Sequence, residues 1–189
     1  MPLLIDTTSE HGLPTTDLLL FALPGVGDVG KNAIEMLNES SQAERVARFI
    51  HPGLAPLARL DEDGLLAPPH LYASLFTTPT GQRVMTVTGP GQPSDPSHQY
   101  DFTQELLEAF SKAQLPEMLV LAGLSSPPEK KEAFVVASSS AHRVNMEEKG
   151  VDVRRDQPSG GAIGMSALMA SMGPIFGIHS ACAMATTVG

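Results

Sequence analysis

Apolar residues along this chain follow two rhythms, and the switches between them mark out the elements. Leu18-Leu19-Leu20-Phe21-Ala22-Leu23 is continuously apolar and is stopped by Pro24 and Gly25, the pattern of a strand buried on both faces. Pro24 to Gly30 is a glycine turn, after which Ala33, Ile34 and Leu37 recur at helical spacing. Strand, glycine turn and helix make the first half of a βαβ unit, so the chain reads as α/β.

The same rhythms place the remaining elements. Met1 to Thr16 is a polar lead-in with a short strand at Leu3 to Ile5. Glu44 to Ile50 alternates as a second strand, and Leu57 to Leu66 holds two short extended pieces around the turn Asp61-Glu62-Asp63-Gly64. Leu71 to Thr77 and Arg83 to Thr88 flank Pro79-Thr80-Gly81-Gln82 as a hairpin. Phe102, Leu106, Leu107, Ala109 and Phe110 predict a helix over Phe102 to Ala113 with Asp101 as its N-cap and Glu105 in its early turns. Met118 to Gly123 and Ala133 to Ala137 are strands. A short helix follows over Ala141 to Lys149, ended by Gly150. Pro158-Ser159-Gly160-Gly161 opens a small-residue helix over Ala162 to Met172, and Gly177 to Met184 is the last strand. No internal repeat or interdomain linker interrupts this order, so residues 1–189 read as one domain. Its expected sheet is mostly parallel at the centre with an antiparallel hairpin attached.

Charge narrows the partners. A net charge of −9 disfavours nucleic acid and anionic membrane surfaces, since both call for a basic face. Only 17% of residues are charged, which leaves weakly polar surface and predicts a homo-oligomer. The single Cys182 can form no internal disulfide and fits a reducing cytoplasm. The N-terminal residues lack the pattern of a signal peptide, and no apolar run is long enough to span a membrane.

Gly25, Gly27 and Gly30 match the dinucleotide fingerprint G-x-G-x-x-G, and Gly25, Gly30 and Lys31 come close to a P-loop. Both matches break where the chemistry needs them. Asn32 stands where a P-loop has the hydroxyl that ligates magnesium. The next strand ends Arg48-Phe49-Ile50-His51 without the acid that binds ribose hydroxyls, and Asp28 inside the turn repels a pyrophosphate. The glycines therefore read first as a tight strand-to-helix turn with close packing. If the strands ending near Gly25, Gly89 and Gly123 are parallel neighbours, their ends line one crevice. The Ser159-Gly160-Gly161 loop then joins them as a helix N-terminus able to bind an anion, and the final strand runs out into Thr186-Thr187-Val188-Gly189.

Reactive side chains do not assemble into a signature. His11, His51, His70, His98, His142 and His179 show no metal-ligand spacing and read as loop or core histidines. Ser125-Ser126 and Ser138-Ser139-Ser140 follow strands without a G-x-S-x-G elbow. Cys182 lies in an apolar strand and reads as buried and inert. Arg143, Arg154 and Arg155, Glu129 to Glu132 and Glu147 to Lys149 read as solvated surface. No catalytic residue, metal site or cofactor is assigned.

The order of motifs resembles the PAC2 family, which includes proteasome assembly chaperone 2 and its archaeal and bacterial relatives. The resemblance runs from about Asp17 to the C-terminus. It is carried by Gly25-Val26-Gly27-Asp28-Val29-Gly30, Gly89-Pro90-Gly91-Gln92-Pro93, Val120-Leu121-Ala122-Gly123-Leu124, Gly160-Gly161-Ala162-Ile163-Gly164 and the ending Gly177 to Thr187. It implies a three-layer αβα fold of the phosphorylase and hydrolase type, oligomers, and a chaperone role with protein partners that can be proteasome-related. Two departures stand out. The sequence ends Thr187-Val188-Gly189, whereas chaperones that dock on the proteasome core can use a C-terminal hydrophobic-Tyr-x tail, and the further helix into which relatives usually continue after the last strand is not expected here. The sequence thus favours a protein-binding, assembly-chaperone-type scaffold over an enzyme. The alternative is a phosphorylase-like or nucleotide-dependent enzyme, since an ATP-grasp-like label attaches to some relatives. The positions that would touch a ligand are Gly25, Gly27, Gly30, Lys31, Gly89, Gln92, Gly123, Ser159, Gly160, Gly161 and Thr186.

Overall fold

The computed structural model describes residues 2–188, and in it the apolar run at Leu18 becomes an interior strand of an eight-stranded sheet. The elements are β1 (Leu4–Thr7), β2 (Leu18–Phe21), α1 (Val29–Ser40), β3 (Glu44–Ile50), β4 (Arg59–Leu60), β5 (Leu66–Ala67), β6 (Leu71–Thr77) and β7 (Arg83–Thr88). They continue as α2 (Pro96–Lys112), β8 (Glu117–Ser125), β9 (Ala133–Ala137), α3 (Ser140–Glu148), α4 (Met165–Met172) and β10 (His179–Thr187). The sheet order is β1-β3-β6-β7-β2-β8-β10-β9, with β4 and β5 forming a separate two-stranded piece.

The expected parallel centre is β7, β2, β8 and β10, each pair in parallel register. The antiparallel part is larger than one hairpin. β6 pairs with β7, β3 with β6, and β1 with β3, while β9 pairs antiparallel with β10 at the far edge. The sheet is therefore mixed.

Helices cover both faces. Leu19 and Phe21 share a core with Met85, Val87, Met118 and Val120, packed under Phe102, Leu106 and Phe110 of α2 and Met165 and Met169 of α4. Side chains alternate along a strand, so Thr86 lies on the other face, where its hydroxyl donates to Asn38 Oδ1 of α1 at 2.7 Å. Ser180 on β10 donates to the Ala170 carbonyl of α4 at 2.7 Å, while its neighbour His179 stacks on His142 of α3. Thus α1 and α3 lie on one side and α2 and α4 on the other. Phe49 and Phe110 meet edge to face at a centroid distance of 5.8 Å, one of several fully buried aromatic anchors.

Two helices begin elsewhere than the periodicity suggests. α2 starts six residues before Phe102, with Asp95 rather than Asp101 as the N-cap. Asp95 Oδ1 accepts from Ser97 N at 2.8 Å and His98 N at 3.3 Å, and Pro96 sits in the first turn, where its missing N–H costs nothing. The apolar face begins only at Phe102, so periodicity alone hides the exposed first turns. α4 starts at Met165 instead of Ala162. Gly161 N closes a turn onto the Pro158 carbonyl at 3.0 Å, and Gly164 holds φ 91° before the helix, a backbone shape only glycine adopts freely.

Candidate functional site

Because β7, β2, β8 and β10 run parallel, Gly89, Gly25 and Gly123 do gather at one rim of the sheet. What they build is a closed junction. After β2 the chain turns through Pro24 and Gly25 into a 3-10 turn, Val26–Asp28, and then α1. Gly25 N donates to Asp28 Oδ1 at 3.1 Å, and Asp28 N donates to the Gly25 carbonyl at 3.0 Å. The acid that would repel a phosphate is here the internal acceptor of the turn.

The places of four glycines are filled by the chain itself, by backbone at Gly30 and Gly123 and by side chains at Gly27 and Gly89. A Cβ on Gly30 would stand 2.2 Å from the Leu121 carbonyl oxygen and 3.0 Å from the Ala22 Cβ. One on Gly123 would stand 2.1 Å from the Val26 carbonyl oxygen. Gly27, at φ 62°, faces the Thr187 side chain of β10, whose Cγ2 would lie 2.9 Å from an added Cβ. Gly89 makes room for Leu71, with Leu71 Cδ2 2.5 Å from the Cβ it lacks. Glycine here buys direct contact between the turn, α1 and β8.

Gln92 closes the junction from the other side. Its Nε2 donates to the Pro24 carbonyl at 3.1 Å, and its Oε1 accepts from Met165 N at 3.0 Å. One side chain therefore ties the glycine turn to the start of α4 and satisfies one of the free N–H groups there.

The other sequence candidates lie apart from the junction or face away from it. Lys31 pairs with Glu35 one turn along α1 at 3.3 Å. It lines a groove of about 1230 Å³ together with Arg45, Arg48, Tyr72 and Gly89. Ser159 and Gly160 are exposed in the turn before α4, so they are not amides of a helix start. Gly161 borders a second groove of about 630 Å³ between α2, α4, β9 and β10. Thr186 turns toward the other edge, where its hydroxyl donates to the Lys130 carbonyl at 2.8 Å and accepts from Glu132 N at 2.7 Å. Thr187, not Thr186, is the residue against the glycine turn. The enzyme alternative, with Lys31, Ser159, Gly160 and Gly161 among its ligand contacts in one crevice, has no support in this arrangement.

Reactive groups are held by packing. Arg154 is bound by Glu132 at 2.6 Å and Asp156 at 2.9 Å, and Arg155 by Glu147 at 2.9 Å. Burial pushes the Cys182 thiol up to about 12, so little thiolate exists at neutral pH. Native protein is expected to react with iodoacetamide far more slowly than urea-unfolded protein, by at least about tenfold. Equal rates, followed by mass spectrometry, would contradict that environment.

His51 is buried, stacked on Phe102 at 4.4 Å, and accepts from Gly53 N at Nδ1. His142 is buried, stacked on His179 at 5.3 Å. Burial lowers the pKa of both below the ordinary 6.5, with Glu105 and Glu117 opposing the shift in part. The unfolded chain therefore takes up protons first on acidification, and the folded state loses ground. Stability should be full above about pH 6.5 and fall as pH drops below it, read as a lower urea midpoint. His142→Asn should flatten part of that slope; an unchanged slope in both single variants at His51 and His142 would rule these residues out as its source.

Among the described residues no group of His, Cys, Asp and Glu is placed to hold a metal, and no helix is long and apolar enough to cross a membrane. The exposed apolar residues Leu57, Leu60, Leu65, Leu66 and Ile163 were not anticipated. For Ile163 a signal exists: no charged residue follows Asp156.

A model of the family described as PAC2 family matches residues 19–189. An uncharacterized protein of Methanocaldococcus jannaschii is 23% identical over 172 residues, covering 91% of this chain. The chain spans 66% of the length of that relative. The crystal structure of Pyrococcus furiosus PbaB, described as an archaeal proteasome activator, superposes with a TM-score of 0.83 at 20% identity over all of this chain and 81% of that one. Pyrococcus furiosus PbaA, described as an archaeal homolog of proteasome-assembly chaperone, gives a TM-score of 0.74 at 18% identity over all of this chain and 77% of that one.

Proposed function

The chain belongs to the PAC2 family, and from that premise we propose that it is a protein-binding scaffold of the assembly-chaperone kind whose partner is proteasome-related. One observation carries the scaffold reading. At the rim where open α/β sheets place their ligands, Gly30 and Gly123 meet backbone oxygens and Gln92 bridges Pro24 to Met165. The junction is closed by the chain's own atoms at these positions. The partner class is supported by the likeness to PbaB, described as an archaeal proteasome activator, and to PbaA, described as an archaeal homolog of proteasome-assembly chaperone. The proposal includes a homo-oligomer working in the cytoplasm. It also includes kinship of the scaffold to the phosphorylase and hydrolase type, which helices on both faces of the mixed sheet support.

Sedimentation of the purified chain mixed with proteasome core particles, or with their unassembled subunits, tests it. Co-migration with either is expected. Separate migration from both, at concentrations where a micromolar complex would form, would overturn the partner class.

A further inference from the structure

From Gln157 onward the sequence contains no Asp, Glu, Lys or Arg, although the chain carries 12 basic and 21 acidic residues and a net charge of −9. This stretch is not hidden. It forms the turn before α4, α4, the 3-10 turn Gly173–Phe176 and β10, and it exposes Ile163 at 97% and Ile175 at 76%. Ile163 stands at the lip of the groove of about 630 Å³, whose walls include Tyr100 of α2, Ala167 and Leu168 of α4, Val136 of β9 and Cys182 of β10. No lining residue of that groove is charged. The larger groove, by contrast, is lined by Lys31, Glu35, Arg45 and Asp61 among others.

Two copies carrying −9 each repel one another. A contact through any charged face must also strip water from ions, which is costly unless each finds a partner. The groove beside α4, with no charged residue in its lining, escapes both penalties. An isologous contact further needs a patch that complements itself. Here an apolar knob, Ile163, sits beside an apolar hole on the same patch.

We propose that this charge-free face is where a second copy of the chain docks, with Ile163 of each copy entering the other's groove between α2 and α4. The proposal rests on the homo-oligomeric part of the function proposed above and names its surface. Ile163 is almost fully exposed in the single chain, so Ile163→Asp leaves folding intact while placing a charge where each copy would be desolvated. Ala167→Glu adds a charge from the groove side at a half-buried position, with an unchanged circular dichroism spectrum required before it is compared. Met36→Asp on α1, at a residue 70% exposed, adds an equal charge elsewhere.

Sedimentation velocity across a concentration series decides. The wild-type chain and Met36→Asp should assemble alike, whereas Ile163→Asp and Ala167→Glu should need at least roughly tenfold more protein to do so. A wild-type chain that stays monomeric overturns both this proposal and the homo-oligomeric reading, including when the face instead captures a different protein. If the wild-type chain assembles but Ile163→Asp and Ala167→Glu match it, or Met36→Asp dissociates equally, the assigned face alone is wrong.

Discussion

Gly123→Ala is expected to lower stability by about 3 kcal/mol, a melting-temperature drop of roughly 6–12 °C for a chain of this size. Its Cβ would lie 2.1 Å from the Val26 carbonyl oxygen, and both atoms belong to backbone held by neighbours on each side. Val26 opens the 3-10 turn, and Gly123 is fixed in β8 opposite Ala185 of β10. Neither side chain rotation nor a local shift relieves the clash, so the turn and the strand must part. Gly30→Ala meets the Leu121 oxygen at 2.2 Å and should cost nearly as much. The better helix propensity of alanine, worth about 1 kcal/mol, offsets only part of that. Gly25→Ala is the internal control. Gly25 is extended at φ −164°, and its nearest neighbour, the Leu23 oxygen, is 3.9 Å from the Cβ position. It should change stability by less than about 0.5 kcal/mol. Thermal unfolding followed by circular dichroism separates the cases, and equal effects at Gly25 and Gly123 would contradict the packing account.

Gln92→Leu is expected to cost about 2 kcal/mol, because it strands two half-buried backbone groups at once. The Pro24 carbonyl loses its donor and Met165 N loses its acceptor. Gln92→Glu gives a sharper result. The carboxylate can still accept from Met165 N but sets negative charge against the Pro24 carbonyl. It should therefore destabilise at neutral pH and recover as pH falls through the carboxyl range, where a protonated oxygen can donate to Pro24. That recovery has the opposite sign to the histidine-driven loss in the parent chain, so urea midpoints at two pH values distinguish them. No recovery in acid would mean that Gln92 does not bridge the two segments.

Local grammar made much of the fold legible. The run Pro79 to Gln82 set the β6–β7 hairpin, alternation set β3 to its observed bounds, and the short apolar run Ala133 to Ala137 matched β9. The two misplaced helix starts have a common cause. Periodicity reports the buried face, and both α2 and the segment before α4 begin with exposed or glycine-rich residues. Strand order was legible only as a condition, because β2 pairs with β7 and β8, far from it in sequence. The glycines pointed to the right rim, but the atoms that fill them belong to Leu121, Val26 and Thr187, which no local pattern identifies. Thr186 and Thr187 show how fine the margin is. On a strand a step of one residue reverses the face, and the neighbouring threonine is the one that meets Gly27.

The account stands on the places of Gly27, Gly30, Gly89 and Gly123 being filled by the chain itself. Thermal unfolding of the native chain in saturating phosphate, nucleoside or nucleotide measures this most directly. The account predicts a melting temperature that none of them moves. A ligand bound at one hundred times its dissociation constant would add about 2.7 kcal/mol and raise the transition by several degrees. Such a rise, lost in Gly25→Ala but retained in Met36→Asp, would contradict the account.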